Sequence, residues 1–166
     1  MNPYVTFPLL TGVALIQATL LSRVSVVGAR PNLMLLVVLI WAVVRGIDEG
    51  LLWAFVGGLI LDVLSGGPLA SIALALLAGA YLAGQSLGEE VGSQAIRVVI
   101  LTVLGATAYH VALMLLLDWS GHSVDWPYSL VRVAGPSILL NAVLAPVLLG
   151  PLGWLERITR EEGLAL

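Results

Sequence analysis

Gly46-Ile47-Asp48-Glu49-Gly50-Leu51-Leu52-Trp53-Ala54-Phe55-Val56-Gly57-Gly58-Leu59-Ile60-Leu61-Asp62-Val63-Leu64-Ser65-Gly66 is the stretch on which the fold turns. Within it Gly46, Gly50, Ala54, Gly58, Asp62 and Gly66 recur at intervals of four. Residues four apart lie on one face of an α-helix, so the spacing predicts a helix carrying a nearly continuous small-residue stripe. Small residues let two backbones approach closely, the usual basis of helix packing in lipid. The stripe is expected to pack against the chain's own helices, with docking of a partner's helix as the sharper alternative. A second small-residue face follows in Ala75, Gly79 and Ala83, and then Gly84, Gly88 and Gly92.

Composition says why lipid is the solvent. The 166 residues are 60% hydrophobic and 10% charged, with a mean hydropathy of +1.06. An ordinary soluble domain carries roughly 25% charged residues, and so few polar groups cannot cover a water-facing surface. All seven cations are arginines and the net charge is −3, so nothing suggests a nucleic-acid surface. The absence of cysteine excludes disulfides, thiolate metal sites and cysteine nucleophiles. There is no nucleophile–base pair, phosphate-binding glycine loop or carboxylate dyad. An enzyme reading therefore has little support, and no cofactor or metal is expected.

A helix needs about 20 mostly apolar residues to cross the hydrocarbon core. The polar breaks suggest an all-α, polytopic membrane protein of about six spans, forming a single transmembrane domain over 1–166. The expected spans are Tyr4–Leu21, Pro31–Val44, Glu49–Leu64, Pro68–Gln85, Ala95–Leu117 and Tyr128–Leu155. Five is the competing count. At about 1.5 Å per residue the second span reaches only about 20 Å. It must thin the bilayer, extend into its loops or sit shielded by neighbours. The first apolar run has no cationic leader and no clear cleavage site, and reads as a retained span.

Ser65-Gly66-Gly67-Pro68 reads as a tight turn with Pro68 at the first position of the next helix. With an even count both termini share a side with Arg45, Arg97, Arg157 and Arg160, against Arg23, Arg30 and Arg132 opposite. The positive-inside rule then favours cytoplasmic termini. Trp119, Trp126 and Tyr128 bracket one interface and Trp154 marks the other.

Four intramembrane polar residues stand out: Gln17, Asp62, His110 and Asn141. An intramembrane carboxylate is costly and faces protein or a cavity. Asp62 is expected to cap the Ser65–Pro68 turn through backbone amides, the alternative being a proton, ion or partner contact. His110 lies on a face with Thr102 and Ala106, and a pairing with Asp62 is a hypothesis. Gln17 and Asn141 read as interhelical hydrogen-bonding groups. His122, between Asp118 and Asp125, has no second histidine nearby and is a weak metal signal. Pro136, Pro146 and Pro151 break the hydrogen-bond ladder of the last span, either to bend it against its neighbours or to mark a transport site. A channel or proton pathway would need more polar groups along one route than Asp62, His110 and Asn141.

One family shares these motifs. Arg30-Pro31-Asn32-Leu33 opens the second span and Arg45-Gly46 closes it. Ala54-Phe55-Val56-Gly57-Gly58-Leu59-Ile60-Leu61-Asp62 follows, and Ser65-Gly66-Gly67-Pro68-Leu69 completes the series. This resembles the rod shape-determining MreD family, whose pattern runs approximately Arg-Pro-Asp, Gly-Phe-x-x-Gly-Leu-x-x-Asp and a Gly-Pro-Leu-Gly turn. Phe55, Gly58, Leu59 and Asp62 match in place. Asn32 stands for the acid, Ala54 for the first glycine and Ala70 for the last.

The resemblance implies a multi-pass component of the bacterial cytoplasmic (inner) membrane that binds MreC and acts as a scaffold or regulator. It would support lateral peptidoglycan synthesis by RodA and a penicillin-binding transpeptidase, in step with MreB. Self-association is possible on this reading. The family is also similar in fold to the substrate-binding subunits of energy-coupling-factor vitamin transporters, which supplies the alternative function. Ala14 and Ala18 form the Ala-x-x-x-Ala pair such subunits use for docking. His110, Trp119, His122 and Trp126 are the candidates for a vitamin pocket.

Overall fold

The computed structural model describes residues 3–19, 31–68, 70–85 and 93–163, with side chains from residue 6 to residue 159. Among the described residues six helices follow one another: α1 Pro3–Thr19, α2 Leu33–Arg45, α3 Ile47–Ser65, α4 Ser71–Ala83, α5 Gln94–Trp119, and α6 over 126–163. The competing count of five spans is not the helix count found. Among the described residues no strand occurs.

Length divides the helices into two groups. α5 and the Trp126–Thr159 part of α6 are long and apolar enough to cross a bilayer alone. α2 and α4, at 13 residues each, are not. α2 is instead shielded by its neighbours. Ten of its residues, Met34 through Val43, are buried, and it packs on α1, α3, α4, α5 and α6. That is the central position of the bundle, and it explains how a helix only about 20 Å long avoids a mismatch with lipid.

Glycine sets the close approaches. A Cβ added to Gly50 would land on Ala42 of α2, and one added to Gly58 would land on the Cα of Ala73 in α4. Ala54, between them on the same face, has no exposed surface. Gly79 and Gly105 meet across α4 and α5, where a Cβ on Gly79 would lie 2.7 Å from the Gly105 carbonyl oxygen. The stripe of α3 thus faces α2 and α4 inside the bundle.

The α3–α4 turn departs from expectation. α3 ends at Gly66 in the left-handed region, φ 64°, as glycine commonly ends helices. Pro68 does not open the next helix. Its carbonyl accepts the Ser71 amide at 3.3 Å, and α4 begins at Ser71. The fourth-span positions Gly88 and Gly92 lie outside the described residues.

Of the three prolines of the last span, Pro136 has the visible consequence. A proline offers no amide and its ring opposes the carbonyl four residues back. Just before it the helix widens to a π turn over Ser129–Ala134, with the Gly135 amide donating to Leu130. Pro146 and Pro151 are carried inside an otherwise continuous helix.

Candidate functional site

Polar side chains gather at both ends of the short helices. At the end where α2 and α4 begin, the question is where the first amides of each helix find acceptors, because lipid offers none.

α2 answers with three side chains. Asn32 is its N-cap, in extended conformation, and its Oδ1 accepts the Leu35 amide at 3.0 Å. Gln17 of α1 accepts the Met34 amide at 2.8 Å. Asn141 of α6 accepts the Asn32 amide at 3.3 Å. Asn141 is fully buried, and its Nδ2 has no partner among the described residues.

α4 answers with one carboxylate. Its N-cap residue, Ala70, provides no side-chain cap. Asp62, 2% exposed, reaches from α3 so that Oδ1 accepts the Ile72 amide at 2.9 Å and Oδ2 the Ala73 amide at 3.0 Å. Ser71 and Leu74 donate to the carbonyls of Pro68 and Ala70. All four opening amides of α4 are therefore satisfied, and the negative charge sits at the positive end of the helix dipole. Asp62 thus does not close the Ser65–Pro68 turn as its place in the sequence predicts. That turn is held instead by Ser65, whose Oγ donates to the Asp62 carbonyl at 3.1 Å and accepts the Gly67 amide at 3.3 Å.

The hypothetical Asp62–His110 pair is not formed. Both Asp62 oxygens face α4 amides, while His110 Nδ1 bonds the Ala106 carbonyl of its own helix at 2.8 Å. The residue that does join this cluster is Tyr109, which sequence reasoning missed. It is buried, hydrogen-bonds the Asn32 side chain and lies within the field of Asp62. Its ring meets His110 edge-on at 5.1 Å. A tyrosine in an apolar run gives no signal of such a role.

At the opposite end, where α2 runs into α3 through Gly46 at φ 94°, the chemistry is ionic. Arg45 lies 3.6 Å from Glu49 and 4.0 Å from Glu156 of α6, with a side chain 16% exposed. One terminal nitrogen donates to Thr159 Oγ1 at 2.8 Å. Its guanidinium carbon stands 5.6 Å from the Trp41 ring centroid. Trp41 stacks on Trp53 at 4.1 Å and donates Nε1–H to Glu49 at 3.1 Å. In the sequence Arg45 marks topology and, with Gly46, the end of the second span. The Arg45–Glu49 spacing of four was available as a signal, but nothing local pointed to Glu156 or Thr159.

Other candidates do not converge. Trp119 is 88% exposed, His122 is exposed and Trp126 half-buried, so with His110 they form no enclosed pocket. Ala14 is buried in the bundle and Ala18 is exposed. No group of three or more metal-ligating side chains occurs among the described residues.

A family model for the rod shape-determining protein MreD matches residues 1–157. No curated protein matches the chain, and no solved structure matches it.

Proposed function

Because the chain belongs to the MreD family of rod shape-determining proteins, we propose that it is a non-catalytic, multi-pass component of the cell-elongation machinery in the bacterial cytoplasmic membrane, with both termini in the cytoplasm. Its direct partner on this reading is MreC. Through MreC it supports lateral peptidoglycan synthesis by RodA and its penicillin-binding transpeptidase, in step with MreB filaments. The family match over residues 1–157 carries the proposal. The structure supports it in one respect: Asp62, Asn32 and Gln17 are engaged in holding backbone amides, which suits a rigid body that other proteins dock on.

The stripe residues Gly50, Ala54 and Gly58 are taken up by α2 and α4, so a partner helix needs another surface. An outward-facing side of α3, about 100° round from the stripe, offers one. Phe55 and Leu59, which belong to the MreD pattern, are 48% and 39% exposed. Large apolar side chains on a lipid-facing helix are ordinary, but these two carry a family motif without supporting the chain's own core. We assign the Phe55–Leu59 face to the membrane span of MreC.

The test is copurification of MreC with the tagged protein, comparing wild type, Phe55→Ala/Leu59→Ala and Leu139→Ala. Loss of MreC from the double variant alone, with unchanged thermal stability, supports both the partner and the face. Retention in all three overturns the face, and no MreC with wild type overturns the partner. We propose kinship with vitamin-transporter subunits in fold alone. The described cavity lies at the Arg45 end, away from the residues proposed for a vitamin.

A further inference from the structure

A cavity of about 460 Å³ opens at the Arg45 end between α2, α5 and α6. Apolar Val44, Pro146 and Leu149 line it together with Trp154 and the polar Gln94, Glu156 and Arg157. We propose that it holds the phosphate-bearing headgroup of an anionic glycerophospholipid, with the acyl chains lying along α6. The proposal rests on the membrane placement of this family and not on binding of MreC.

Charge points to an anion. Glu156 also lines the cavity, but it is drawn to Arg45 at 4.0 Å. Arg157 has no carboxylate or hydrogen-bond partner among the described residues. Arg97, which is not itself a lining residue, lies one turn along α5 from Gln94 and so on the same face. Its Nε is buried with no hydrogen-bond partner among the described residues. Arginine matches phosphate geometry with paired donors, and basic pockets between membrane helices suit lipid headgroups. A zwitterionic head would bring an ammonium beside the same guanidinium.

Shape points to a lipid over a free anion. Trp154, which lines the cavity, is 66% exposed, and tryptophans are enriched at headgroup level. Along the same helix Leu139, Val143 and Val147, four residues apart, are 69%, 70% and 67% exposed. They form an apolar track on α6 leading to the cavity, which acyl chains can follow. Gly150 and Gly153 form part of the lining, and a Cβ added at either meets nothing within 4 Å. The space beside α6 is therefore open, and not a by-product of tight helix packing.

The experiment is native mass spectrometry of the delipidated, detergent-purified full chain titrated with dioleoyl phosphatidylglycerol, dioleoyl phosphatidylcholine and inorganic phosphate. Wild type should bind phosphatidylglycerol about tenfold more tightly than phosphatidylcholine. Arg157→Gln and Gly153→Leu should each lower phosphatidylglycerol affinity about tenfold, the loss of one charge-assisted contact or of the space for it. Gly153→Leu enters open space and should keep the wild-type elution and melting point. Should it unfold instead, Arg157→Gln decides the matter alone. Equal binding of the two lipids, or unchanged binding in Arg157→Gln, overturns the proposal. Displacement of phosphatidylglycerol by millimolar phosphate replaces the lipid with a soluble anion and overturns it too.

Discussion

The two ends of the short helices solve different problems with different chemistry. Where α2 and α4 begin, side chains meet backbone: Asn32, Gln17, Asn141 and Asp62 accept amides that would otherwise be orphaned. Where α2 passes into α3, side chains meet side chains, with Arg45 among Glu49, Glu156, Thr159 and Trp41. The first arrangement follows from length. A helix of 13 residues starts inside the bundle, so its first turn has no water to lean on. The second end is open to a cavity, and charges there are partly solvated. Removing a cap should therefore cost stability independent of salt, whereas weakening the Arg45 cluster should cost less and vary with salt.

The largest effect tests the framework on which both ends hang. Gly58→Leu forces a side chain into the Ala73 backbone. Overpacking against backbone cannot relax by rotamer change, and a loss of about 3 kcal/mol or more is expected. Thermal unfolding in detergent should show no folded protein or a strongly lowered Tm. If Gly58→Leu melts like wild type, α3 and α4 do not approach as described.

Next in size is Asp62→Ala, which strands the buried amides of Ile72 and Ala73. With two bonds to a charged acceptor taken at the lower end of about 1.5–3 kcal/mol each, the expected loss is about 3 kcal/mol. Asp62→Asn, with one acceptor oxygen in place of two, should fall between. His110→Ala should be additive with either, because the imidazole bonds Ala106 and not Asp62. A coupling of 1 kcal/mol or so in that double-mutant cycle would restore the pair that the geometry omits.

Arg45→Met should lower stability by about 1–2 kcal/mol, since it removes the cation that faces Glu49 and Glu156 in a partly solvated setting. Raising salt from 0.05 to about 0.5 M shortens the screening length several-fold and should narrow the gap between Arg45→Met and wild type. Asp62→Ala should keep its deficit at both salts. Equal salt responses would erase the distinction between the two ends.

What the sequence revealed depended on whether an interaction is local. The period of four in Gly50, Ala54 and Gly58 is a local regularity, so the small-residue face of α3 was legible along with the helix count. Which helices it meets was not, because Ala42 and Ala73 look like any other alanines in a chain this apolar. Asp62 was legible as a structural acceptor since a buried carboxylate must find donors. Its target was misjudged by one turn: the nearest donors in sequence lie in the Ser65–Pro68 turn, while the unsatisfied donors in space open α4. The Arg45 cluster and Tyr109 were invisible for the same reason, their partners being Glu156, Thr159 and Asn32.

The three departures from the family pattern sharpen this further. Asn32 in place of an acid keeps the cap, because an amide oxygen accepts the Leu35 amide as a carboxylate would. Asn32→Ala should lose about 1 kcal/mol. Ala54 in place of glycine is tolerated between the two closest approaches.

Ala70 is different. It adopts φ 68°, ψ 0°, the left-handed conformation, as the described non-glycine residue with positive φ. For an L-residue with a Cβ that region costs roughly 1–2 kcal/mol, and the family pattern has glycine there. The strain is borne because the turn must deliver the Ile72 and Ala73 amides to Asp62, so the cap that holds α4 in place also holds Ala70 in a conformation it disfavours. Ala70→Gly should therefore raise stability by about 1 kcal/mol, less the extra freedom glycine has when unfolded. The gain should vanish in the Asp62→Ala background, where the turn is free to relax. A stabilisation that persists without Asp62 would mean that the strain comes from the Gly66–Pro68 turn itself and that the carboxylate follows it.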